Sequence, residues 1–286
     1  MKKTIFVFIL SFILGVISYK CYWYWMYSKP KPPKEKPPIN NYVGIKDYID
    51  EVNTQTVSTN KIKGNIGVFL VFGQSNTTNH MGDLYSCKSN VFYIYKGKLY
   101  KYKDPVLGVD GEGGTVWGLL GDKLIKHKKY DCVIFKLVGR GSTSITEWTP
   151  NTELYKRIII GNSELNQMGL KPTAILFHQG EGDNKYRLYL YKTKNYFEDF
   201  MKIKDALQKE KITAPIYVSM ASIGNSPQDT NIVRAQYRLI RTVKGIKKGV
   251  NTDSLVGNKY RYDKTHFNYY GTQVVADLWL KSLTYK

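Results

Sequence analysis

Residues 66–76 read Ile66-Gly67-Val68-Phe69-Leu70-Val71-Phe72-Gly73-Gln74-Ser75-Asn76. From Ile66 to Phe72 no side chain is polar. A continuous apolar run of this length predicts a strand buried on both faces of a parallel sheet. Gly73 then permits a tight turn, and Ser75 falls just past the carboxyl end of the strand. In open α/β sheets that is the edge where ligands bind. The segment after the serine can begin a helix, whose N-terminus favours negative charge. Two readings of Ser75 stay open on this stretch alone: a nucleophile, or a plain N-cap serine.

Outward from this stretch the same pattern recurs. Cys132–Val138, Ala174–His178 and Ile216–Met220 are further short apolar runs. Between and after them lie helical candidates at Val116–His127, Glu153–Met168, Tyr186–Lys209, Ile232–Lys244 and Tyr269–Ser282. Strands alternating with helices imply βαβ units with right-handed crossovers. The insert Phe92–Tyr102, with Lys96-Gly97-Lys98 at its centre, reads as a β-hairpin. The expected architecture is a three-layer α/β/α sandwich with a mainly parallel five-stranded sheet, spanning residues 63–286.

The N-terminus has a different character. Lys2 and Lys3 precede an uncharged run from Ile5 to Tyr19, followed by the aromatic cluster Tyr22, Trp23, Tyr24, Trp25 and Tyr27. A charged start, an apolar core and an aromatic belt predict a signal anchor or signal peptide over residues 1–28. No A-x-A-like cleavage site follows, which favours the uncleaved anchor. Residues 29–62 begin with alternating Pro and Lys and read as an extended spacer. The expected location is membrane-anchored with the catalytic domain extracytoplasmic, or secreted as the alternative. Lys29, Lys31, Lys34 and Lys36 pull the other way under the positive-inside rule and leave orientation open.

The 286 residues carry 43 Lys and Arg against 23 Asp and Glu, a formal net charge of +20. Such a balance favours anionic partners. No aromatic–basic RNA motif, zinc spacing or helix-turn-helix signature accompanies it, so nucleic acid is not the expected partner. An anionic glycan fits the charge, and solubility alone would also account for it. Cys21, Cys87 and Cys132 match no metal spacing, and a Cys87–Cys132 disulfide stays open.

Three more loops carry chemistry. Gly139-Arg140-Gly141-Ser142-Thr143-Ser144 follows the second long apolar run, and a turn of this kind can present the Gly141 N–H to an oxyanion. His178-Gln179-Gly180-Glu181-Gly182-Asp183 ends the third. The Gln179 amide can donate to the same oxyanion, and Glu181 either fixes neighbouring loops or acts directly in catalysis. His178, Glu181 and Asp183 raise the thought of a metal, but a catalytic zinc usually takes more than one histidine, and no metal or cofactor is expected. Near the C-terminus, Asp263-Lys264-Thr265-His266 sets a carboxylate three residues before an imidazole. In a turn that carboxylate reaches Nδ1–H, fixes the tautomer and leaves Nε2 to accept a serine proton.

Taken together these blocks resemble the SGNH hydrolase superfamily, and within it the sialate O-acetylesterase-like carbohydrate esterases of family six. Gly73-Gln74-Ser75-Asn76 looks like the nucleophile block and Gly141 to Trp148 like the glycine block before a Glu-Trp pair. His178-Gln179-Gly180-Glu181-x-Asp183 looks like the third block, and Asp263-x-x-His266-Phe267 with Gly271 like the last. Asp104-Pro105 and Val233-Arg234-Ala235-Gln236 are lesser matches. The chain departs from the pattern at Ser142, at Thr77-Thr78-Asn79 and at Gly182. The resemblance implies a flavodoxin-like fold and metal-free hydrolysis of acetyl esters on sugars. It implies Ser75, Asp263 and His266 as catalytic residues and Ser75, Gly141 and Gln179 as the oxyanion hole. Gln74, Asn76 and Glu181 would contact substrate or support the loops. A glycan O-acetyltransferase with the same triad, and a non-catalytic glycan-binding protein of the same fold, are the alternatives.

Overall fold

The computed structural model describes Thr54, residues 56–186 and residues 193–284. The segment read as an anchor and most of the spacer lie outside the described residues. Among the described residues no helix is long and apolar enough to cross a membrane.

One sheet contains β1 (Ile66–Gly73), β2 (Val91–Tyr95), β3 (Lys98–Lys101), β4 (Cys132–Leu137), β5 (Ala174–His178), β6 (Ile216–Met220) and β7 (Ile246–Asn251). The order is β3-β2-β4-β1-β5-β6-β7. All neighbouring pairs are parallel except the β2–β3 hairpin. The helices are α1 (Trp117–Lys126), α2 (Glu153–Gln167), α3 (Tyr196–Lys209), α4 (Thr230–Thr242) and α5 (Tyr269–Thr284).

The sandwich is as expected, but the sheet has seven strands rather than five. The four apolar runs are β1, β4, β5 and β6, and three further strands complete the sheet. The hairpin joins the sheet, because β2 pairs with β4. Its turn residues Lys96 and Gly97 have φ of 49° and 69°, the left-handed pair that a two-residue hairpin turn requires. The other addition, β7, reads Ile-Lys-Lys-Gly-Val-Asn and pairs on one side only. Lysines at 247 and 248 face solvent along that edge, which masks an apolar run and also discourages edge-to-edge pairing.

β1 lies between β4 and β5, and its side chains alternate between two cores. Val68, Leu70 and Phe72 pack with Leu154 and Ile158 of α2, Phe200 and Ile203 of α3, and Ile232 and Leu239 of α4. Phe69 and Val71 pack with Trp117, Leu120 and Leu124 of α1 and Val275, Ala276 and Trp279 of α5. That distribution defines the three layers. Each buried aromatic or aliphatic side chain contributes about 1.5–3 kcal/mol. α3 begins at Tyr196 rather than Tyr186, because the Asn195 side chain caps it by accepting the Glu198 N–H. Cys87 and Cys132 are both free.

Candidate active site

The loops singled out above gather at the carboxyl edge of the sheet. β1 ends at Gly73, whose φ is 135°. A Cβ there would lie 2.1 Å from the His178 carbonyl, the same oxygen that accepts the Gln74 N–H at 3.0 Å. Glycine is what lets β1 and β5 end this close together. Ser75 follows and is 5% exposed. It opens a single 3-10 turn, Ser75–Thr77, and not the longer helix expected. The chain turns away at Thr78, whose N–H and hydroxyl both donate to the Ser75 carbonyl, each at 3.0 Å. Among the described residues the Ser75 N–H has no acceptor.

Asp263 and His266 form the pair that their spacing predicted. Asp263 Oδ2 lies 2.6 Å from His266 Nδ1. Its Oδ1 accepts the backbone N–H of His266 at 2.6 Å and of Thr265 at 2.9 Å. Burial alone would raise the Asp263 pKa, but these bonds outweigh it and hold the carboxylate below its ordinary range. The imidazole moves the other way. Burial pushes His266 below the usual histidine value, more strongly than Asp263 raises it. Its Nε2 is buried and has no hydrogen-bond partner among the described residues. A neutral imidazole, fixed at Nδ1 and bare at Nε2, is what a general base requires.

Buried polar bonds tie the serine loop to the histidine loop. The Asn76 amide donates to Glu181 Oε1 at 2.9 Å and to the Thr265 carbonyl at 3.3 Å. Glu181 Oε1 also lies 3.3 Å from His178 Nε2. Burial alone would push the Glu181 carboxyl up, but the His178 ring and the Asn76 amide reverse this and bring it down to about 2. Arg261, 1% exposed, donates to the carbonyls of Leu255 and Thr252 at 2.7 and 2.8 Å and also to that of Thr265. Nothing in the sequence marked Arg261, since one arginine in a loop carries no periodicity. Its burial is a tertiary fact.

Two residues expected in an oxyanion hole are engaged elsewhere. Gln179, wholly buried, gives its amide hydrogens to the Thr143 carbonyl at 2.9 Å and Asp183 Oδ2 at 2.7 Å. It therefore offers no side-chain donor to a substrate and instead locks two loops together. Asp183 completes that lock, accepting also from the Ser144 hydroxyl at 2.6 Å and the Ile145 N–H at 2.7 Å. The Gly141 N–H is likewise taken, by the Asp110 carboxylate at 2.9 Å. Asp110 escaped the sequence reading, because it lies in the long connection after the hairpin with no motif around it. Burial would raise its pKa, but the neighbouring His80 ring, Arg140 and the Gly141 N–H hold it low. The His80 ring stacks on that of His266, with centroids 5.0 Å apart and an interplanar angle of 19°. Gln74 keeps a supporting place: its Oε1 accepts the Gly182 N–H at 2.8 Å. Gly182 fits there because a Cβ would come within 2.1 Å of the Thr143 carbonyl. Among the described residues no group of three or more His, Cys, Asp and Glu side chains is placed to hold a metal ion.

The chain matches, over residues 117–282, the family described as "Carbohydrate esterase, sialic acid-specific acetylesterase". The matched stretch contains Gly141, Gln179, Asp263 and His266 and begins beyond Ser75. None of the curated proteins compared matches the chain. Among solved structures, a protein from Arabidopsis thaliana is 16% identical with a TM-score of 0.57, over 77% of this chain and 96% of its own. A carbohydrate acetylesterase from Xanthomonas citri is 13% identical with a TM-score of 0.54, over 76% of this chain and 55% of its own. NanS is 12% identical with a TM-score of 0.53, over 77% of this chain and 96% of its own. At these identities the likeness is one of fold.

Proposed function

The chain belongs to the carbohydrate esterase family of sialic acid-specific acetylesterases, and from that premise we propose that it removes O-acetyl groups from a carbohydrate through Ser75, His266 and Asp263. It is a carboxylic ester hydrolase, and the finer assignment concerns how the ester bond is broken. His266 Nε2 takes the Ser75 proton as Oγ bonds to the acetyl carbonyl carbon. Asp263 holds the tautomer and stabilises the imidazolium. The charge on the carbonyl oxygen is met by the Ser75 N–H. Collapse expels the sugar oxygen, which takes its proton from Nε2, and leaves acetyl on Ser75. Water, deprotonated by the same nitrogen, then releases acetate.

The observation that carries this reading is the buried Nε2 of His266, without a partner among the described residues, opposite an Nδ1 that lies 2.6 Å from Asp263. The test is Ser75→Ala, which is expected to abolish release of acetate from 4-nitrophenyl acetate and from acetylated glycans while circular dichroism stays unchanged. Retained turnover in the purified variant would sink the assignment. The net charge of +20 supports an anionic glycan as substrate, so KM on such a glycan should rise with salt as attraction is screened. A salt-independent KM removes that part. The apolar run within residues 1–28 supports a membrane anchor, and we place the catalytic domain outside. Protease shaving of intact cells should then degrade the domain, and its protection would contradict the orientation.

A further inference from the structure

Tyr262 directly precedes the Asp263/His266 pair, and 54% of it is exposed. It is nevertheless held in place. Its hydroxyl donates to the His80 carbonyl at 3.1 Å, and its N–H donates to the His266 carbonyl at 3.0 Å. One edge lies against Gly82, where an added Cβ would stand 3.3 Å from ring carbon Cδ1. The ring centroid is 6.0 Å from that of His266, at an interplanar angle of 30°. A broad apolar surface is thus fixed by its polar end and left in water beside the imidazole ring that handles the proton.

The chemistry on that nitrogen limits what comes near the ring. Nε2 must reach the serine proton and then the leaving alcohol oxygen, each within hydrogen-bond distance. For an ester on a ring hydroxyl the sugar ring starts one bond beyond that oxygen, so it enters the space around the imidazole. Pyranose rings present faces of C–H bonds, which pack on aromatic faces while their hydroxyls stay in water. Tyrosine suits such a site, with an apolar body and a polar handle. We infer that Tyr262 is the platform on which the sugar ring of the ester packs, and that it sets preference for sugar esters over simple ones. This rests on the esterase reading above.

The test uses the full chain and two kinds of ester, 4-nitrophenyl acetate and peracetylated methyl glycosides of glucose, galactose, xylose and N-acetylneuraminic acid. The quantity read is the ratio of kcat/KM on the best glycoside to kcat/KM on 4-nitrophenyl acetate. Tyr262→Ala is expected to lower that ratio about tenfold, through KM on the glycoside. Tyr262→Phe, which keeps the ring, should hold it within about threefold. An unchanged ratio in Tyr262→Ala, with or without an equal loss on both esters, overturns the platform and leaves the esterase reading intact. A wild-type chain that cleaves 4-nitrophenyl acetate but none of the glycosides overturns the sugar reading and the platform with it. A wild-type chain inert toward every ester strikes the esterase reading itself.

Discussion

The side-chain amide of Asn76 donates to the backbone carbonyl of Thr265 at 3.3 Å, across 189 positions of sequence. The residue after the serine is thereby bonded to the residue before the histidine. A second bond from the same amide, to Glu181 at 2.9 Å, fixes its direction. Two loops that each look unremarkable in sequence are joined through this buried amide, and the proton relay depends on how they meet.

Asn76→Ala is therefore expected to lower kcat on 4-nitrophenyl acetate about 10²-fold, the cost of a small misplacement of reacting groups. Asn76→Asp should be worse in thermal stability than alanine, because it sets a carboxylate against Glu181 and a carbonyl. Steady-state kinetics and thermal unfolding of both variants check the two statements, and a kcat within about twofold of wild type in the alanine variant would remove the link from the mechanism.

The His266 environment makes a pH prediction. Burial lowers its pKa from the ordinary 6.5, so the neutral, proton-accepting form persists to more acid conditions than usual. The acid limb of kcat/KM should then have its midpoint below pH 6.5. Asp263 acts in the opposite sense, raising the imidazole through a hydrogen bond and its charge. Asp263→Asn should push the limb still lower and cut turnover about 10⁴-fold, since an amide at Nδ1 favours the wrong tautomer. A limb at or above pH 6.5 in the wild type would contradict the desolvated site.

Much of this was legible in the chain because it is local. The strand Ile66–Gly73 is one uninterrupted apolar run, and Asp263 and His266 are three residues apart in a turn. What was not legible depends on distant partners. β7 carries two adjacent exposed lysines because it has a neighbour on one side only. Gln179 looked like a free donor, but a side-chain amide with four hydrogen-bonding sites is assigned only when its neighbours are known. Asp110 approaches Gly141 across 31 residues, with no pattern at either end to announce it.

Gln179 gives a direct contrast between the two roles. An oxyanion donor lost to mutation costs about 10²–10³ in turnover with little effect on stability. A buried loop lock behaves the other way, leaving the Thr143 carbonyl and Asp183 each short of a donor, at about 1–3 kcal/mol. Gln179→Ala is expected to lower the unfolding free energy by that order and to reduce kcat less than about tenfold. Denaturant unfolding and single-turnover acylation separate the outcomes, and a stable variant with a collapsed kcat would return Gln179 to the oxyanion hole.

Glu181 carries the last prediction. Its carboxyl is wholly buried and held down to about 2, against 4.5 when unconstrained. The depressed value means that its contribution to stability is fully present above pH 4.5 and is lost as pH falls through about 2. The linkage is worth about 3 kcal/mol. Wild type and Glu181→Gln should therefore show unfolding free energies whose difference narrows as the pH drops from 4.5 to 2. All other carboxylates are common to the two chains, so the difference isolates this one. Parallel curves over that window would mean that the buried carboxyl is not charged in the folded chain, and that Asn76 is oriented by something other than a carboxylate.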